Sequence, residues 1–108
     1  MNLPTEVFGQ VVVVHSPEDL GREHAEQFES FLARLDRHNV VLDLDSAELI
    51  DSSGLEALVR SQRLLQEREG NLKIATSNHI NRKILELTRL DEQLEVFESV
   101  VDAVKSFS

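Results

Sequence analysis

Hydroxyl and carboxylate side chains crowd one short stretch of this chain, Asp51-Ser52-Ser53-Gly54, just before an apolar periodic segment. A serine beside the start of a helix can accept a phosphoryl group, because helix N-termini present free N–H groups and a positive dipole end to an anion. The same residue types also serve as plain caps and turn formers, with no chemistry at all. Ser53 and Glu56 have the spacing of a capping box. In that arrangement the hydroxyl takes the N–H of the third helical residue and the glutamate reaches back to the cap. This predicts Ser53 as the cap and leaves Ser52 just outside the helix. No histidine adjoins Asp51 in sequence, so it reads as a loop carboxylate supporting the helix N-terminus rather than as a base.

Elsewhere the chemistry is sparse. His15, His24, His38 and His79 are widely spaced, form no H-E-x-x-H pair and have no cysteine beside them, so no metal site is expected. Four scattered glycines make no phosphate-cradling loop, and no nucleophile–base pair stands out. The expectation is a protein without a cofactor and without catalytic activity. With 20 acidic against 11 basic residues the net charge is −9, which disfavours nucleic acid and anionic membrane surfaces as partners. The longest apolar run, Val11 to Val14, is far too short for membrane insertion. Met-Asn-Leu-Pro-Thr-Glu at the start lacks the basic and apolar regions of a signal peptide, and the absence of cysteine fits a reducing compartment. A cytoplasmic domain is expected.

The elements that must position the serines follow from periodicity. Residues 3 to 8 and Val11 to Val14 read as a hairpin turning at Gly9-Gln10, followed by a loop over 15–19. Ala25, Phe28, Phe31, Leu32 and Leu35 make an apolar stripe on a first helix, with Arg34 and Arg37 near its C-terminal end. Val40 to Leu44 is a buried strand, and Leu49-Ile50 is a brief apolar return before the helix from about Gly54 to Arg68, which Gly70 is placed to stop. Asn71 to Thr76 alternates polar and apolar, predicting a strand with one more exposed face and, with the helix before it, a parallel βαβ unit. Ser77 or Asn78 caps a third helix with Ile80, Ile84, Leu87 and Leu90 on its stripe. Leu94 to Phe97 is a last strand, and Ser99 precedes a final helix carrying Val100, Val101, Val104 and Phe107. The prediction is one α/β domain over 1–108, a mixed sheet of about five strands packed against about four helices.

Val-Val-Leu-Asp-Leu-Asp-x-x-x-x-Ile-Asp-Ser-Ser-Gly-Leu, residues 40 to 55, resembles the signature of the STAS domain found in bacterial anti-sigma factor antagonists. The resemblance implies the same element order over nearly the whole chain. It implies Ser52 as the residue phosphorylated by a partner, with Asp51, Ser52, Ser53, Gly54 and Leu55 on the partner-binding surface. It further implies an anti-sigma factor with serine kinase activity as that partner, a serine phosphatase that resets the switch, and release of a sigma factor. The transfer chemistry would belong to the kinase. A STAS domain acting as an unmodified scaffold in a transporter ATPase complex or signalling particle is the rival implication. Family members often carry Gly-x-Leu-Asp before the first helix. Here Glu18-Asp19-Leu20-Gly21 stands in its place, with only Leu20 matching and Asp19 as a displaced carboxylate, and both belong to the expected contact region.

Overall fold

The valine run Val11–His15 (β2) forms the second arm of a hairpin whose first arm is Thr5–Phe8 (β1), joined at Gly9 with φ +61°. The computed structural model, which describes residues 1–108, pairs β2 in parallel with Asn39–Asp43 (β4), and β4 in parallel with Asn71–Ala75 (β6). Val96–Phe97 (β7) closes the far edge, giving a mixed five-stranded sheet of order β1-β2-β4-β6-β7. A separate two-stranded parallel pair joins Asp19–Leu20 (β3) to Leu49–Ile50 (β5), in register Asp19 to Leu49 and Leu20 to Ile50. Neither segment is long enough to reveal itself as a strand in the sequence.

Helices Ala25–Ala33 (α1), Ser52–Glu67 (α2) and His79–Leu87 (α3) each connect parallel neighbours, stepping across the sheet in one direction. Right-handed crossovers therefore place all three on one face. Beneath them Val12, Val14, Val40, Leu42, Leu72 and Ile74 meet Phe28, Leu32, Leu58 and Leu65 in the main core. The last helix, Val100–Lys105 (α4), covers the opposite face, where Val11, Val13, Val41 and Ala103 form a smaller core with Phe97 and Phe107. No helix is long and apolar enough to cross a membrane.

Several sequence expectations change here. Arg37 lies beyond α1 and donates to the Gly9 carbonyl at 2.9 Å, bracing the hairpin turn rather than the helix end. In β6 the alternation suggested an exposed face, yet Lys73 is buried under α4. Its ammonium donates to Ser106 Oγ at 2.8 Å, lies 3.1 Å from a Glu95 carboxylate oxygen and sits 4.2 Å from the centre of the Phe107 ring. In α3, capped by Asn78, the buried residues are Asn81 and Leu85, whereas Ile80 and Leu87 are exposed and Leu90 falls in a short 3-10 turn over Leu90–Glu92. The Asn81 amide explains this rotation: it donates to the carbonyls of Leu44 and Ala47 and so must face inward. The stripe pattern assumed that only apolar groups seek the core. A buried amide with two carbonyl partners does so equally.

Candidate functional site

The chain enters α2 through Asp51, whose backbone is extended at φ −109° and ψ −175°. Its Oδ1 accepts the Gly54 N–H at 3.0 Å, which makes Asp51 the cap. Ser53 is therefore already the second helical residue and not the cap. Glu56 turns to Arg60, 3.7 Å away, instead of back to a cap amide, so the capping box does not form. The physical reason is the second carboxylate oxygen. Asp51 Oδ2 accepts the Arg22 N–H at 2.9 Å while Oδ1 holds the helix, and a serine hydroxyl at position 53 cannot bridge those two segments. These amide donors, Gly54 first and then Arg22, hold the Asp51 carboxyl below its ordinary range, with Ser53 N–H adding to the effect.

Two glycines let the surrounding segments close on one another. A Cβ on Gly54 would lie 1.9 Å from the Leu20 carbonyl oxygen, so α2 begins flush against β3. A Cβ on Gly21 would meet Leu49, Asp19 and Asp51 within 3.0 Å. The β3–β5 pair continues this join, with the Glu48 and Leu49 N–H groups both donating to the Glu18 carbonyl. The 18–22 loop, β5 and the start of α2 thus form one rigid corner.

All seven residues expected at the contact surface come together in this corner, in different roles. Ser52 is the first residue of α2 and is exposed; Asp51, Ser53, Leu55 and Asp19 are half-buried. Gly54 and Leu20 are buried, and Leu20 belongs to the main core. Asp19 lies 3.7 Å from the His24 ring nitrogen Nδ1. Leu49, an apolar residue that the sequence does not place on the contact surface, is 50% exposed beside them. A shallow groove of about 250 Å³ runs from this corner along α2, lined by Leu55, Glu56, Val59, Arg60, Arg63 and Leu90. A larger cavity, about 670 Å³, lies between Met1, Asn2 and the outer side of α1, and includes none of the expected contact residues.

Among curated proteins, none matches this chain significantly in sequence. Solved structures do. An anti-sigma factor antagonist from Mycobacterium paratuberculosis aligns with a TM-score of 0.85 at 21% identity, over 97% of this chain and 92% of that one. A sulfate transporter family protein from Wolinella succinogenes is also similar, with a TM-score of 0.81 at 18% identity over 94% of this chain and 87% of that one. The Bacillus cell fate determinant SpoIIAA in its phosphorylated form aligns over 99% of this chain and 100% of its own, with a TM-score of 0.72 and 16% identity. At these identities the likenesses establish the fold. The sequence profile of the STAS domain matches residues 2–103, nearly the whole chain, and with the corner at Asp51 to Leu55 in place the chain belongs to the STAS domain family.

Proposed function

We propose that this chain is an anti-sigma factor antagonist whose binding to an anti-sigma factor with serine kinase activity is switched by phosphorylation of Ser52. The observation that carries this reading is the position of Ser52: exposed, at the first turn of α2, on a corner held rigid by Asp51. A phosphate there adds about −1.5 to −2 charges beside the positive end of the helix, where the fold tolerates an anion. The fold is preserved and the surface is changed. Asp51 and the exposed Glu48 and Glu56 already make the neighbourhood acidic, so a partner surface shaped for a hydroxyl would face an uncompensated dianion. Ser52, Leu55 and Leu49 would form the contact, with Asp19 at its edge and Leu20 and Gly54 shaping it from beneath. A serine phosphatase would restore binding, and release of a sigma factor would follow from sequestering its inhibitor. The protein acts in the cytoplasm in this reading, binds no cofactor and performs no catalysis.

The test is titration calorimetry with the cognate kinase partner. Ser52→Ala should bind like the wild type, and Ser52→Asp should bind at least tenfold more weakly; equal affinities would defeat the switch. The likeness to the Wolinella transporter family protein supports a second reading, a STAS scaffold within a larger assembly. Copurification with an ATPase that is indifferent to both substitutions would favour it.

A further inference from the structure

One of the two edges of the sheet is β1, and it is bare. All four of its residues are exposed, Val7 at 52% and Phe8 at 48%. Sheet edges ordinarily carry charge, proline or a covering loop, because unpaired N–H and C=O groups invite another strand. The one charged residue of β1, Glu6, is turned onto the sheet and engaged by His15 at 2.8 Å. The His15 N–H donates to the Pro4 carbonyl at 3.0 Å, which fixes the alternation: Pro4, Glu6 and Phe8 direct their backbone groups at β2, and Thr5 and Val7 direct theirs outward.

We propose that β1 is the interface of a two-fold homodimer, in which it pairs antiparallel with β1 of a second copy and joins the two sheets edge to edge. The occupant follows from self-complementarity. A two-fold axis normal to the sheet maps each face onto itself, so only residues on the same face can stand opposite. Centred on Val7, the pairing lets the two outward Val7 N–H and C=O groups bond reciprocally, puts valine against valine and sets Phe8 across from Glu6 of the other copy. Centred on Glu6, it would oppose two carboxylates, which disfavours that register. The interface is short and the net charge of −9 on each copy repels, so association is weak and strengthens with salt.

Sedimentation equilibrium of the intact chain from about 10 µM to about 1 mM, at low and at about 0.5 M salt, tests this. The mass should double with concentration, more readily at high salt. Hydrogen exchange at the Val7 amide should slow in step. Val7→Pro removes only an outward N–H and leaves the β1–β2 ladder whole, and Val7→Lys places charge on the edge; both should stay monomeric with unchanged circular dichroism. If Val7→Pro does not fold, Val7→Lys decides. A wild type monomeric throughout, a dimer that survives Val7→Lys, or a dimer whose Val7 amide exchanges as fast as the monomer's would each overturn the proposal.

Discussion

At the scale of single residues, two sites show how hydrogen bonds set behaviour. His15 lies between Glu6 at 2.8 Å and Asp43 at 2.9 Å, one carboxylate from β1 and one from β4. The hydrogen bond to Glu6 raises its pKa above the ordinary 6.5; burial, the next effect in size, opposes the rise, and the Asp43 carboxylate adds to it. A histidine that holds its proton more tightly when folded contributes stability that is complete below 6.5 and is lost as pH rises through the higher folded value. The urea midpoint should therefore fall between about pH 6 and pH 8, and His15→Gln should flatten that decline. An unchanged slope in the variant would remove His15 as its cause. Gly54 is the second site. A side chain there collides with the Leu20 carbonyl, which is backbone and cannot step aside, so Gly54→Ala should cost about 2–3 kcal/mol in chemical denaturation. A loss under about 0.5 kcal/mol would mean that the corner is looser than its geometry.

Among the elements, α2 illustrates how a helix end divides its tasks. The sequence places Gly70 to stop it, yet the left-handed residue is Glu69, at φ 64°. The Gly70 N–H reaches the Leu65 carbonyl at 2.7 Å and the Glu69 N–H reaches Gln66, the paired bonds of a Schellman ending. Gly70 is required for another reason: a Cβ would lie 2.0 Å from the His38 carbonyl, where α2 turns down into β6. Glu69→Gly should thus raise stability by up to about 1 kcal/mol by relieving a left-handed glutamate, whereas Gly70→Ala should lower it. Thermal unfolding of the two variants should move in opposite directions, and a joint decrease would contradict this division. Further along the same helix, Gln62 is buried, accepts the Leu72 N–H at 2.6 Å and donates to Asn71, tying α2 to β6. Its replacement by leucine leaves that N–H unpaired, and about 2 kcal/mol of stability should be lost in denaturant titrations.

For the whole molecule, the central question is whether charge at Ser52 acts on the surface or on the fold. Ser52 is the first residue of a 16-residue helix, so an acidic substitution meets the favourable end of the dipole. Ser52→Asp should keep the wild-type melting temperature within a few degrees while partner binding falls. A large drop in melting temperature would recast the proposed switch as unfolding. The architecture supports independence of the two ends: the corner at α2 stands on the three-helix face, while β1 is the edge of the sheet beyond β2, opposite β7. Dimerisation through β1 would leave both Ser52 sites open.

Much of this was present in the order of residues. The valine run and the alternation of strand and helix determined the five-stranded sheet and its four helices, because periodic burial is a local property that one chain segment states for itself, and the Asp51 to Leu55 string marked the start of the second helix through its resemblance to the STAS signature. The tertiary structure decided what depended on distant partners. Asp51 displaced Ser53 as cap because the Arg22 amide, 29 positions away, gives its second oxygen a bond. Asn81 turned Ile80 and Leu87 outward because the Leu44 and Ala47 carbonyls needed a donor. Lys73 was buried because α4 brings Ser106 and Phe107 over it. Polar groups choose partners by geometry across the fold, and sequence spacing carries no record of that choice.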